Sequence, residues 1–369
     1  MQKRPALMLP AGEKDWRKRV TFMEVLRPKL LNLGWTVGVE LKGKNLDFWA
    51  IECCGIVNRL RGRIVWHLPH NAAYGLGQED NTEVLSGLTT MMSQAENFRK
   101  AFGLEAVVLH AAPAIVRTEK PAKTYERYFS PIRPEEYLKQ LQRQAVALKA
   151  INEQSGGLLC LENVDICSFS EGGCTLPTYL GLQAGSWLDL AWLAKETGCR
   201  TVFDSEHFFG SRNFLTRCHE FEKKLSYESN TAQNETEIEF ELRTGYIIRE
   251  GRAPISKPMS LCQYLSGTSP TSHFHIGGAH KAFTSKGELA CHLPFGDVQR
   301  LSSETIRAIQ ISIGELSTGN GIGAVIEVCG QNVPGPYSPW SPRIIDDEVA
   351  KMQTYLAVIN EIEVLQRSQ

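Results

Sequence analysis

The sequence has little of several features that would assign it to a familiar class. No apolar run approaches the roughly 20 residues that cross a bilayer. The amino-terminal stretch MQKRPALMLPAGEKDW also lacks the apolar core of a secretory signal. The formal net charge is −1, so no overall basic field draws the chain to nucleic acid or to anionic lipid. We therefore expect a cytoplasmic protein with no membrane partner. A nucleic-acid partner stays open but is not favoured by the charge.

Nucleotide-binding motifs and paired-cysteine motifs are missing as well. No Gly-x-Gly-x-x-Gly opens a helix after a strand and no Walker sequence is present, so a dinucleotide site is not supported. The ten cysteines include no CxxC pair, and several lie inside apolar strand or helix patterns. We expect reduced thiols at packing positions rather than disulfides.

The chain does contain a regular alternation of strand and helix patterns. Short apolar runs occur near residues 5, 36, 63, 106, 158, 201, 271 and 323. Helical periodicity covers residues 13–33, 46–60, 81–102, 134–154, 187–197, 298–316 and 346–366. Eight strands alternating with these helices predict a (β/α)8 TIM barrel, with residues 1–369 as a single domain. The rhythm breaks after the sixth strand, so residues 210–270 are predicted to be an insertion that serves as a lid or a dimer arm. Homo-oligomer formation stays open.

Acids and histidines recur at the carboxyl ends of the predicted strands, which share the active-site face of a parallel barrel. In chain order they are His67, His70, His110, Glu162, Asn163, Asp204, His207, His273, His275, His292 and Glu327. A single histidine is more often a hydrogen-bonded core residue, so the prediction depends on the whole set. Imidazole with carboxylate suits zinc, manganese or iron. A bound cation would also relieve the repulsion among Glu162, Asp204 and Glu327 in a pocket of low dielectric.

Three polar residues are candidates for substrate binding. Glu40 ends the second predicted strand, and its alternative is a surface or salt-bridged role. Asn163 follows Glu162 and could instead orient that carboxylate. Arg212 could bind an anionic substrate, although such a residue is more often a solvated loop charge.

The order of these motifs resembles the xylose-isomerase-like barrel superfamily, and within it the endonuclease IV type, also called AP endonuclease family 2. The segments that carry the resemblance are Leu68-Pro69-His70-Asn71, Val108-Leu109-His110, Leu161-Glu162-Asn163, Phe203-Asp204-Ser205-Glu206-His207, His273-Phe274-His275-Ile276, Cys291-His292-Leu293-Pro294-Phe295-Gly296-Asp297 and Val325-Ile326-Glu327. The likeness spans residues 5–365 in order, with no counterpart for residues 210–270.

The resemblance implies two or three divalent metal ions. The implied groups are His70, His110 and Glu162; Glu162 as a bridge with Asp204, His273 and Glu327; and His207 with His292. His275, on the same strand as His273, is a further candidate ligand. The family uses an aspartate in the third site where this chain has Ala290. If that site is empty, His207 is released to act as an acid or a base.

Several functions remain open at this stage. The first hypothesis is hydrolysis of a phosphoester, in which Glu162 bridges two metals and Glu327 binds metal or accepts the proton of a water. The alternative is a sugar or keto-acid isomerase or epimerase, in which one metal polarises a carbonyl of a small-molecule substrate and paired carboxylates move a proton. An iron-dependent, oxygen-using enzyme with the same ligands, or a barrel that has lost activity and serves as a binding partner, is also compatible with the residues.

Overall fold

A closed barrel of eight parallel strands forms the frame of the protein. The computed structural model describes residues 3–69, 72–73, 75–110, 115–116, 134–163, 168–170, 173–175, 187–205, 207–208, 260–261, 264–265, 271–276, 303–319, 321–326 and 347–368. Its strands are β1 (Ala6–Ala11), β2 (Thr36–Lys42), β3 (Arg63–His67), β4 (Ala106–His110), β5 (Ile115–Val116), β6 (Leu159–Glu162), β7 (Ser168–Ser170), β8 (Gly173–Thr175), β9 (Arg200–Asp204), β10 (Thr271–Ile276) and β11 (Gly323–Ile326). The barrel order is β1-β11-β10-β9-β6-β4-β3-β2, closed by pairing of β1 with β2. This confirms the predicted TIM barrel.

Helices follow most of the barrel strands. Those in the described part of the chain are α1 (Trp16–Asn32), α2 (Phe48–Arg59), α3 (Thr82–Phe102), α4 (Pro134–Gln154), α5 (Trp187–Thr197), α6 (Ser303–Ser317) and α7 (Asp347–Arg367). The end of α3 and the start of α4 show how the sequence marks a helix boundary. Gly103 ends α3 with a φ of 75°, which glycine adopts without strain. Pro134 occupies the first position of α4, where its missing N–H costs no hydrogen bond.

The strands alternate between an outer face against the helices and an inner face inside the barrel. On β1, for example, Leu7 belongs to the large outer core, whereas Met8 belongs to a separate inner cluster. The inner cluster is made of small and medium side chains: Ala6, Met8, Val65, Ala106, Val108, Cys160, Val202, Ile322 and Val325. Gly38 completes this packing, since a Cβ there would lie 2.8 Å from Met8 Cγ. Side chains therefore fill the barrel interior at this level. A functional site must lie beyond this cluster, toward the carboxyl ends of the strands.

A partly buried ion pair closes the amino end of the barrel. The Arg63 guanidinium donates to both carboxylate oxygens of Glu105, at 2.9 and 2.6 Å. Its Nη1 donates to the backbone carbonyls of Arg4, Gly321 and Ile322. The Arg63 side chain thus connects the segments that precede β1 and β11, which come from the two ends of the sequence. This network stabilises the fold at the amino end of the barrel.

Three short strands form a small antiparallel sheet that the sequence did not predict. β8 pairs with β5 and with β7. These strands are only two or three residues long, so no periodicity could reveal them.

The predicted insertion at residues 210–270 lies outside the described residues, apart from 260–261 and 264–265. Its role as a lid or dimer arm stays a prediction. Within the described ranges, no helix is long and apolar enough to cross a membrane.

Candidate metal centre

A cluster of buried carboxylates and imidazoles lies at the carboxyl ends of the barrel strands. The described members are Glu40, His67, His110, Glu162, Asp204, His207, His273 and His275. Glu40, Glu162 and Asp204 are at most 1% exposed. Burying a charge is costly unless other charges or hydrogen bonds compensate for it. The neighbours of these carboxylates therefore determine what the cluster can bind.

Glu162 is the centre of the cluster. Its Oε2 lies 3.0 Å from His67 Nε2 and 3.3 Å from His110 Nε2. Its Oε1 lies 3.0 Å from His275 Nδ1. The two carboxylate oxygens thus face two different groups of imidazole nitrogens.

His67 has an oxygen acceptor against each of its ring nitrogens. Nδ1 lies 2.6 Å from the backbone carbonyl of Leu68, which can only accept a hydrogen bond, so Nδ1 carries the proton. In a neutral ring the lone pair is then on Nε2, which faces Glu162 Oε2. This contact is repulsive unless a cation lies between the two atoms. Two atoms about 2.0–2.2 Å from one metal ion lie roughly 3 Å apart, so a shared ion fits this distance as well as a proton does.

His275 repeats this arrangement on the other side of Glu162. Its Nε2 lies 2.8 Å from Glu40 Oε2, while its Nδ1 lies 3.0 Å from Glu162 Oε1 and 3.6 Å from Asp204 Oδ2. Ionised carboxylates only accept, so a neutral His275 can satisfy one side and presents a lone pair to the other. Asp204 Oδ2 accepts no hydrogen bond from a described residue. A cation bound among His275 Nδ1, Glu162 Oε1 and Asp204 Oδ2 would give each of these three atoms a favourable partner.

Asn163 and His207 hold the ends of β6 and β9 together. The Asn163 side chain donates to the Asp204 carbonyl at 2.9 Å and accepts from the Asp204 N–H at 2.7 Å. His207 Nδ1 lies 2.8 Å from the Asn163 carbonyl and therefore carries a proton, while the His207 N–H donates to Asp204 Oδ1. These bonds fix the position of Asp204 relative to Glu162 on the neighbouring strand.

The protonation states suit metal ligands. Burial alone would raise the pKa of Glu162, but its interactions with the imidazoles of His275, His110 and His67 hold that pKa well below its usual range. Burial lowers the pKa of His110 to about 4, and it also lowers the pKa of His273. At neutral pH Glu162 is ionised and these two imidazoles are neutral, which is the form that binds metal.

Three overlapping groups bring ligand atoms within 4.8 Å of one another: Glu40, His67 and His275; His67, His110 and Glu162; Glu162, Asp204 and His275. Nitrogen and oxygen donors of this kind suit zinc, manganese or iron. Together with the orphaned Asp204 Oδ2 and the facing lone pairs, the donor set fits a divalent ion.

The structure brings together all of the predicted site residues that it describes: Glu40, His110, Glu162, Asn163, Asp204, His207, His273 and His275. It places His275, rather than His273, beside Asp204, because these two residues are register partners in the sheet. His273 Nε2 instead lies 2.9 Å from Glu40. Glu40 and Asn163 contact other residues of the site, and their predicted substrate contacts stay predictions.

His70, His292, Glu327 and Arg212 lie outside the described residues, so their predicted roles stay predictions. His67 belongs to the strand-end residues of the sequence but to none of the ligand groups that the resemblance implies. Alternation along β3 is the signal that points to it, since it places His67 on the inner face with Val65.

Comparison with known proteins gives similarity to solved structures alone. No protein-family model and no curated protein sequence matches the chain. Similar structures include an L-ribulose 3-epimerase, with 11% identity, a TM-score of 0.49, and coverage of 99% of this chain and 96% of that one. A D-psicose 3-epimerase from Clostridium cellulolyticum H10 has 10% identity, a TM-score of 0.49, and coverage of 99% of both chains. The 3-keto-D-glucoside 4-epimerase YcjR from E. coli has 11% identity, a TM-score of 0.48, and coverage of 96% of this chain and 99% of that one. Likeness at this level carries no argument about activity.

Proposed function

We propose that the protein is a divalent-metal-dependent enzyme that isomerises or epimerises a small polyhydroxylated carbonyl compound. The observation that carries this proposal is the arrangement around Glu162. His67 and His275 each have both ring nitrogens against oxygen acceptors, and one nitrogen of each ring faces the Glu162 carboxylate. A shared metal ion is the cation that best suits such a set of converging donors.

Glu162, Asp204 and His275 would hold the ion, with Glu327 as the fourth ligand predicted from the sequence. When bound, the ion would polarise a substrate carbonyl and make the adjacent C–H bond more acidic. Glu162 and Glu327 would form the carboxylate pair that removes and returns the proton. His207 is the alternative acid or base, because its protonated Nδ1 faces Asn163 and leaves Nε2 as the nitrogen that would exchange a proton.

The charge and burial of the cluster favour a small, uncharged substrate. Glu40, Glu162 and Asp204 are buried, and Lys42 Nζ lies 2.7 Å from Glu40 Oε1. One divalent ion together with Lys42 balances these three carboxylates. Within the described part of this cluster, no positive charge then remains to attract a phosphate group, whereas hydroxyl groups can still bind.

Phosphoester hydrolysis is the second candidate, and one specific observation favours it. Glu162 is shared by two of the ligand groups, which is the arrangement of a carboxylate that bridges two metal ions. A second ion would add the positive charge that a phosphoester needs, and two ions would stabilise the attacking and leaving oxygens. The number of bound ions therefore separates the two proposals. The resemblance to endonuclease IV stays a prediction.

The test is to strip the purified protein of metal, reload it with Mn²⁺, Zn²⁺ or Fe²⁺, and count the ions per chain. One ion, with deuterium from D₂O appearing next to the carbonyl of a ketose or aldose, supports the isomerase. Two ions, with cleavage of bis(p-nitrophenyl) phosphate or of DNA that contains abasic sites, support the hydrolase. Failure to bind any ion would overturn both.

Two variants control this experiment. Asp204→Asn removes a buried ligand and is expected to abolish the metal-dependent activity. Asp47→Asn makes the same chemical change at an exposed position before α2, where the side chain makes no capping hydrogen bond, and should leave metal content and activity unchanged.

A further inference from the structure

Glu40 contacts both histidines of β10 from inside the barrel. Its Oε2 lies 2.9 Å from His273 Nε2 and 2.8 Å from His275 Nε2. All three side chains are at most 1% exposed. An ionised carboxylate only accepts hydrogen bonds, so these two contacts are hydrogen bonds when each Nε2 carries the proton of its ring.

Lys42 places a positive charge beside the Glu40 carboxylate in this buried setting. Its Nζ lies 2.7 Å from Glu40 Oε1, the oxygen that does not contact the histidines. The two residues leave β2 on the same face, because side chains two positions apart on a strand lie on one side. Glu40 therefore has the Lys42 ammonium group beside Oε1 and the Nε2 atoms of His273 and His275 beside Oε2.

We infer that Glu40 is a positioning residue that fixes the proton of His275 on Nε2 and so presents Nδ1 as a lone-pair donor to the Glu162–Asp204 side of the site. The inference rests on the proposed metal centre and deepens it. An imidazole binds a metal through one nitrogen only when its proton is held at the other, and an outer partner of this kind sets which nitrogen that is.

A purely structural role for Glu40 predicts something different. Any replacement would then lower stability, but the remaining protein would keep the same ring tautomer. A role in direct substrate contact would alter KM and leave metal binding unchanged. The tautomer of His275 and the affinity for metal are therefore the two readouts that separate these roles.

The experiment uses full-length protein with ¹⁵N-labelled histidine, and long-range ¹H–¹⁵N correlation spectra identify the protonated nitrogen of each ring. Loss of one ring's signals in His275→Asn assigns that residue. In metal-free wild-type protein we expect Nε2 of His275 to carry a proton. In Glu40→Gln the amide can donate to Nε2 as well as accept, so the Nδ1–H tautomer should become populated. The affinity for Mn²⁺, measured by titration calorimetry, should fall about 10- to 100-fold.

Glu105→Gln is the matched control, because Glu105 is a carboxylate in an ion pair at the opposite end of the same barrel. It should lower Tm without changing the His275 signals or the Mn²⁺ affinity. Lys42→Met leaves Glu40 in place but removes its cation, so the Nδ1–H tautomer should become more populated than in wild-type protein. This comparison with wild type serves if Glu40→Gln does not fold.

An unprotonated Nε2 in the wild-type spectrum would overturn the inference. So would a Glu40→Gln protein with unchanged tautomer and unchanged affinity. If wild-type protein binds no metal at all, the proposed function fails, and the ring signals of the metal-free protein still decide the tautomer separately.

Discussion

Glu162 Oε2 lies 3.0 Å from His67 Nε2, on the side of the imidazole opposite the nitrogen that donates to the Leu68 carbonyl. In a neutral ring, the proton is therefore fixed away from the carboxylate and the lone pair toward it. His67 also packs edge-on against His110, with ring centroids 5.1 Å apart. This geometry makes His67 a candidate metal ligand.

The first prediction is that His67→Phe weakens metal binding. Phenylalanine keeps the size of the ring but has no lone pair to offer, so the Glu162 carboxylate loses a partner in holding the ion. We expect the affinity for Zn²⁺ or Mn²⁺ to fall by at least about 10-fold, since even an outer partner of a ligand contributes that much. Titration calorimetry on metal-free protein measures the change.

Trp66→Phe is the control for this prediction. Trp66 lies next to His67 on β3 but belongs to the outer core, and its Nε1 donates to the Gly43 carbonyl. The control should lower stability and leave the metal affinity unchanged. Equal affinities for His67→Phe and wild-type protein would exclude His67 from the ligands.

The barrel itself was predictable because each strand carries its own signal. Runs such as Ala6–Ala11 and Ala106–His110 are buried along their length, as expected for strands covered on both faces. The helices between them have clear stops, such as the glycine at position 103. The three-residue strands β7 and β8 carry no such signal, since two or three residues cannot show a period.

The site was predictable in its members but not in its contacts. Alternation places His273 and His275 on one face, and nothing in the sequence says which of them is level with Asp204. That depends on the register between β9 and β10, which shifts between Thr271 and His273. For the same reason, the contact of Glu40 with this strand pair could not be read from its position at the end of β2.

The second prediction concerns the hydrogen bonds between Asn163 and the backbone of Asp204. In Asn163→Asp the carboxylate can still accept from the Asp204 N–H, but it cannot donate to the Asp204 carbonyl. The free energy of unfolding should fall by about 1–3 kcal/mol for this buried loss. Metal affinity should also fall, because Asp204 is no longer held beside Glu162. Denaturant unfolding and metal titration give the two values.

Asn152→Asp separates the two effects. Asn152 is also buried; its side chain accepts from the Leu159 N–H and donates to the Thr197 carbonyl, both remote from the metal centre. The same chemical change there should cost stability and leave the metal affinity intact. If both variants lose affinity equally, Asn163 has no special role in placing Asp204.

The third prediction is that the described buried thiols are unreactive in the native protein. Burial raises the pKa of Cys53 to about 12, with a further contribution from the charge of Asp15, and burial also raises the pKa of Cys54, Cys160 and Cys199. Because the thiolate is the reactive form, alkylation near pH 8 should leave these four cysteines unlabelled until the protein unfolds. Peptide mass spectrometry after iodoacetamide treatment, with and without guanidinium, makes the comparison. Native labelling of Cys53 at the unfolded rate would contradict the burial of this side chain in α2.

The fourth prediction is a pH-dependent contribution of the Arg63–Glu105 pair to stability. Burial by itself raises the pKa of Glu105, but the hydrogen bonds and charge of Arg63 outweigh it, so the folded-state pKa lies below the ordinary value. A lowered folded-state pKa means that the stabilisation is complete above the unfolded pKa of about 4.3. It is lost as the pH falls further, through the folded-state pKa.

At neutral pH, Glu105→Gln leaves the buried Arg63 without its counter-charge and should cost about 3 kcal/mol in the free energy of unfolding. The glutamine does not titrate, so the difference between wild type and variant should shrink once the pH falls below the ordinary range of a glutamate. Urea unfolding of both proteins, from neutral pH down to strongly acidic buffer, traces this difference. If the difference in the free energy of unfolding stays constant over this pH range, the carboxylate charge of Glu105 does not stabilise the amino end of the barrel.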